Sequence, residues 1–264
     1  MANVRTILSL LAFTPSATST DANYPVANLS DIVHGLRPYR AALSGAIVDI
    51  TLDWGSGHTL SGLAADPAIF LNALNVTSVR IQGNSTPSWS SPPWDQPVTI
   101  SKDREVGRYK GFWRLADLTA AAHAYRYTNI RIPAQSTIDG GNYSIAGICV
   151  GQMAEWSRNP NYGTERTRTD RARTVELLGG GVEVARLGDP AMVLRYPRVF
   201  SSLTSLNEQL DLLDLGLDQP CVIWDATLGN GSQDAYLVRR TDAMPLKRDY
   251  IQYDSGQLVL REVT

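Results

Sequence analysis

Cysteine is nearly absent from this 264-residue chain, with Cys149 and Cys221 the only two. Neither sits in a CxxC or Cys/His cluster, which excludes a disulfide-stapled scaffold and a thiolate metal knot. They read as buried free thiols suited to a reducing cytoplasm, with one long-range disulfide left open. Histidine is equally scarce, and His34, His58 and His123 show no HExxH spacing, so no metal site is expected. No apolar run approaches the roughly 18 residues of a membrane helix, and membrane insertion is not expected. Neither charge dominates: 24 basic residues against 26 acidic give a net of −2, which excludes strong steering toward nucleic acid.

Catalytic signatures are missing as well. There is no GxSxG elbow to supply a nucleophile. Gly179-Gly180-Gly181 lacks the Lys-Ser/Thr of a phosphate loop and reads instead as a hairpin turn between Thr174–Leu178 and Val182–Ala185. Asp49, Asp53 and Asp66 form neither a compact acid pair nor a DxDxDG calcium loop. The expectation is a non-enzyme with no cofactor. A glycosidase-like pair assembled from distant loops is the variant that one sequence does not display.

What is present is β-structure. Hydrophobic residues make up 43% of the chain, enough for more than one core. They fall in short runs separated by Gly, Pro, Asn and Asp, the pattern of antiparallel sheets. Strands are expected at Ala46–Leu52, Ser78–Gln82, Thr128–Ile132, Ile145–Val150, Thr174–Leu178, Met192–Tyr196, Cys221–Trp224, Ala235–Val238 and Gln257–Arg261. In the first of these, Ala46, Val48, Ile50 and Leu52 point one way while Asp49 and Thr51 point to a wet face. The prolines of Asn84–Pro97 bar a central strand there. Helices are expected at Asp66–Leu74, with Pro67 in its first turn, and at Thr204–Leu215, where Ser205 and Glu208 have capping-box spacing and Gly216 supplies a stop. A third short helix or a turn is expected at Leu115–Ala124. The apolar run from Ile7 to Phe13 imitates a secretory signal, but with one Arg before it and Ser9 inside it the segment reads as part of the folded product.

The stretch Trp156–Arg173 has almost no aliphatic residues and marks a boundary between domains 1–157 and 158–264. Its Arg166, Arg168, Arg171 and Arg173, set among Thr residues with Glu165 and Asp170, read as an intersubunit or interdomain strand rather than a nucleic-acid patch. Among aromatics, Trp113 beside Phe112 and Leu115 is expected to pack inside. Trp89 and Trp94, among Ser and Pro, are the candidates for exposure and for stacking on a ligand or partner, together with Tyr143.

The order Tyr24-Pro25-Val26-Ala27-Asn28-Leu29, then Ile47 through Gly55, then Asn72–Gln82 resembles the discoidin, or galactose-binding-like, sandwich. Tyr127–Ile132, Ile145–Gly151 and Asn159–Gly163 look like the end of such a sandwich in phage tail proteins, and from Arg171 onward the segments resemble the split-barrel-plus-helix module of tail-tube, distal-tail and baseplate-hub proteins. The resemblance implies a mainly β chain: a discoidin-like β-sandwich followed by a small split β-barrel with one packed helix. It further implies a structural component of a phage tail tip or baseplate, made in the bacterial host cytoplasm. Such a component self-associates in a ring, contacts other tail or baseplate proteins and turns its sandwich outward. Asp53-Trp54-Gly55 stands where Asp-Leu-Gly is commoner, and no calcium-binding carboxylates accompany it. The alternatives are a carbohydrate-binding module for host-surface glycans and, further off, a polysaccharide-degrading enzyme.

Overall fold

The computed structural model describes residues 3–32, 37–42, 45–102, 109–118, 124–157, 164–169, 172–176, 182–186, 191–200, 211, 219–225, 234–241, 247–248 and 253–263. The chain is mainly β and divides into two compact units, Met1–Ser157 with Cys221–Tyr236, and Arg158–Pro220 with Leu237–Thr264. The first contains β1 (Val4–Leu10), β2 (Thr14–Ala17), β3 (Tyr39–Arg40), β4 (Val48–Asp53), β5 (Pro67–Ala73), β6 (Ser78–Asn84), β7 (Trp94–Thr99), β8 (Ser101–Lys102), β9 (Tyr109–Arg114), β10 (Tyr127–Ile132) and β11 (Ser144–Glu155). The second contains β12 (Glu165–Thr169), β13 (Ala172–Glu176), β14 (Val182–Arg186) and β15 (Ala191–Phe200). The chain then returns to the first unit in β16 (Cys221–Asp225), crosses back within β17 (Ala235–Arg240) and ends in β18 (Lys247–Arg248) and β19 (Tyr253–Glu262).

The first unit is a sandwich of two antiparallel sheets. The larger runs β16-β1-β11-β5-β9-β8, with β3 also on β11, and the smaller runs β2-β4-β10-β6-β7. The alternation in β4 sends Val48, Ile50 and Leu52 inward, where they meet Ile130 and Ile132 of β10, Ile69 and Leu71 of β5 and Ile148 of β11 in one core. Prolines sit on both edges of the smaller sheet, Pro15 in β2 and Pro97 in β7, where a missing N–H costs no ladder bond.

The helix expected at Asp66–Leu74 is instead β5, buried at every position from Pro67 to Ala73. β11 and β9 pair its two edges, and burial on both alternating sets of side chains shows that both faces are covered as well. A strand apolar on both faces has no period of two, and its continuous run imitates a buried helix. The short helix or turn expected at Leu115–Ala124 is a single helical turn, Leu115–Leu118, followed by residues outside those described. The segment that imitates a signal is β1, paired with β11 on one side and β16 on the other, with Val4 and Ile7 fully buried. Where β1 bulges between Ile7 and Leu10, Gly151 of β11 lets the two backbones close: a Cβ there would stand 2.2 Å from the Ser9 carbonyl oxygen.

In the second unit β12, β15 and β19 are successive neighbours, and residues 238–240 of β17 pair with β19. Met192, Leu194 and Tyr196 are buried while Val193 and Arg195 between them are less so, as period-two patterning requires. The strands flanking the triple glycine, β13 and β14, pair with each other antiparallel, and the glycines themselves lie outside the described residues. So does the segment expected to form the helix Thr204–Leu215, apart from residue 211.

Candidate functional site

The residues picked for ligand contact are buried. Trp89 is only 7% exposed, since its loop folds back over the outer face of the smaller sheet and its Nε1 donates to Thr51 Oγ1 at 2.9 Å. Trp94 begins β7 and joins the sandwich core. Tyr143 is fully buried, its hydroxyl accepting from the Gln135 amide at 3.0 Å and donating to the Gln135 carbonyl at 2.9 Å. All three are committed to the fold. Ser and Pro near a tryptophan indicate a loop, and a loop that packs on a sheet hides its ring as completely as a strand does.

Beneath Trp89 lies a polar network. Arg131 grips Asp49 through Nε at 2.7 Å and Nη2 at 3.0 Å, and Nη2 also donates to the Trp89 carbonyl at 2.9 Å. Asn129 Nδ2 donates to Asp49 at 2.7 Å and to Gln82 at 2.8 Å, and Arg80 Nε meets Asp95 at 2.8 Å. The face expected to be wet is therefore partly sealed.

The three carboxylates considered for catalysis each face an arginine: Asp49 faces Arg131, Asp53 faces Arg126 at 2.9 Å, and Asp66 faces Arg114 at 2.8 Å. The Arg126 hydrogen bond holds the Asp53 carboxyl below its ordinary range against the opposing effect of burial, helped by the Gly55 amide. Asp139 is lowered chiefly by the Gly141 amide and then by Asn75. A depressed folded-state pKa stabilises the protein above the unfolded carboxylate range, and that contribution disappears as pH falls through the folded value. The urea midpoint should stay level from neutral pH down to about 5 and then fall below roughly pH 4, with Asp53→Asn showing the shallower fall. A midpoint that holds steady to acid pH in the parent chain would contradict this account.

Among the described residues no three His, Cys, Asp or Glu side chains gather as a metal site, and no helix is long and apolar enough to cross a membrane. His58 is exposed, while His34 and His123 lie outside the described residues. Cys149 and Cys221 are free and buried, and burial raises both thiols, that of Cys221 to about 12.

Two of the solvent-facing features among the described residues bear on ligands and partners. One is a cleft of about 610 Å³ in the sandwich, lined by Ser78, Val79 and Arg80 of β6, Pro97, Val98 and Thr99 of β7, Trp113 of β9 and Pro133. Trp113 packs against the sandwich core as expected while staying half-buried, and its ring lies along β9 over Gly111, where a Cβ would fall 1.8 Å from Cη2. The pair Gly111-x-Trp113 on one face of a strand is the sequence signal for this arrangement. The other feature is β12, which among the described residues pairs β15 alone and leaves its second edge unpaired. Arg168 on it is exposed and Arg166 half-buried; Arg171 lies outside the described residues, and Arg173 falls within β13.

No protein-family profile matches the chain, and no curated protein does. Among solved structures it is similar to reduced XRCC1 from a complex with the DNA pol beta catalytic domain, at 13% identity over 56% of this chain and 98% of that one, TM-score 0.41. It is also similar to chitosan-binding module 1 of a chitosanase/glucanase from Paenibacillus sp. IK-5, at 16% identity over 55% of this chain and 97% of that one, TM-score 0.36. Both likenesses are too distant to transfer a ligand.

Proposed function

We propose that this chain is a non-enzymatic assembly protein of a tailed-phage virion, made in the host cytoplasm, which joins copies of itself into a ring through β12 and carries its sandwich as a binding module. The tail assignment rests on the ordered resemblance of its segments. The self-association rests on one observation: β12 is a strand of Glu, Arg and Thr with no proline that, among the described residues, pairs on one side only, with β15. A heterologous contact repeated around an axis closes a ring and removes such edges.

The test is oligomer mass by light scattering, with a proline introduced at Thr167 or at Arg168. Consecutive residues of a strand point their N–H groups to opposite edges, so one of the two substitutions acts on the open side and the other on the ladder to β15. The parent chain should form a discrete oligomer. The open-side proline should yield a monomer with an unchanged melting transition. A parent chain that stays monomeric at the highest soluble concentration overturns the proposal. A degradative enzyme has less to stand on, since Asp49, Asp53 and Asp66 are each engaged by an arginine. Glycan binding keeps a footing in the Trp113 cleft.

A further inference from the structure

Beside the start of β11 lies a polar cavity of about 220 Å³, lined by Arg40, Asp139, Gly141, Asn142 and Ser144. Tyr39 and Arg40 of β3 pair with Ile145 and Ser144 of β11. Tyr39 and Ile145 turn into the sandwich core, so Arg40 and Ser144 stand side by side on the opposite face. There the half-buried Arg40 guanidinium lies 4.2 Å over the Tyr24 ring, and its Nε donates to Ser144 Oγ at 3.4 Å. Among the described residues no carboxylate pairs with it, and its two Nη groups have no protein partner.

Asp139 is fixed as well. Its Oδ1 accepts from the Gly141 amide at 3.1 Å and from Asn75 Nδ2 at 3.0 Å. Asn75, only 3% exposed, also donates to the Asn142 carbonyl at 2.7 Å and accepts from the Ser144 amide at 2.8 Å, which ties this loop to β11. The Gly141 amide chiefly, and then Asn75, hold the Asp139 carboxyl below its ordinary range, so it is ionised at neutral pH. A carboxylate has about four acceptor sites, so these contacts leave capacity for a ligand.

The cavity thus offers one held cation and one held anion. We infer that it binds a free α-amino acid as the zwitterion, with the carboxylate on Arg40 and the ammonium on Asp139. A lone anion would meet Asp139, and a lone cation would meet Arg40, each with like-charge repulsion. A zwitterion gives both groups an opposite partner. With Nε engaged by Ser144, the two Nη groups present the planar fork that takes a carboxylate in parallel hydrogen bonds. Both charges are in place before binding, so little side-chain freedom is lost. None of this depends on the assembly reading.

The full-length chain would be titrated by calorimetry with glycine, alanine, glutamate and lysine, and with the deaminated acid and the decarboxylated amine of each. At least one amino acid should bind, and both of its reduced counterparts should bind at least about tenfold more weakly. Arg40→Gln should weaken the amino acid to a similar degree. Asp139→Asn retains an oxygen for Gly141 and Asn75, so its melting transition should stay in place, which keeps the test valid if Arg40→Gln does not fold. In that variant the amino acid should lose its advantage over the deaminated acid. Absence of binding to all four amino acids at millimolar concentration overturns the inference. So does a parent chain that binds the deaminated acid equally well, or binding that survives both substitutions.

Discussion

Gly151→Val is expected to destabilise the first unit by about 3 kcal/mol, seen as a melting midpoint lower by roughly 6–12 °C. The clash is with backbone. A Cβ at residue 151 would stand 2.2 Å from the Ser9 carbonyl oxygen and 2.4 Å from Cγ2 of Ile7, and a main-chain oxygen in a bulged ladder has no rotamer by which to retreat. β1 would have to move away from β11, and it is also the partner of β16. The damage should therefore reach the strand that the chain contributes from more than two hundred residues later. Hydrogen exchange would report it as early exposure of amides in both β1 and β16. A variant with parental stability would mean that β1 does not pair as described.

Ile69→Ala and Phe70→Ala should each cost about 3 kcal/mol, measured by urea unfolding. These neighbours point to opposite faces of β5. Ile69 enters the sandwich core, and Phe70, 1% exposed, packs on the reverse side of the same sheet. An amphipathic surface helix over the same residues would make one of the two substitutions nearly harmless, because one of the side chains would face water. Equal costs at adjacent positions are the mark of a strand covered on both sides. One cheap and one costly substitution would count against it.

The contrast between β4 and β5 explains what was legible from residues alone. β4 has one face against the core and one against polar groups, so its letters alternate and its direction can be read from them. β5 is covered on both sides, so its alternation vanishes and the residues suggest a helix, while the apolar run of β1, buried at Val4, Thr6 and Ile7, imitates a leader. Long-range placement left still less trace. Trp89 is sealed by Thr51, 38 positions earlier in the chain. Cys221–Trp224 was legible as a strand, but that it crosses back to pair with β1 was not. The cleft shows the same limit: the apolar company of Trp113 indicated its packing against the core, whereas the cleft it shares with residues of two strands of the facing sheet left no trace.

The prolines on the outer strands of the smaller sheet bear on how copies of this chain meet. Pro15 and Pro97 interrupt the donor rows of β2 and β7, so neither strand templates the next copy at high concentration. β12 carries no such interruption. In the assembly proposed above, encounters through the small sheet would dissipate and those through β12 would persist, so that crowding would favour an ordered particle over an amorphous precipitate.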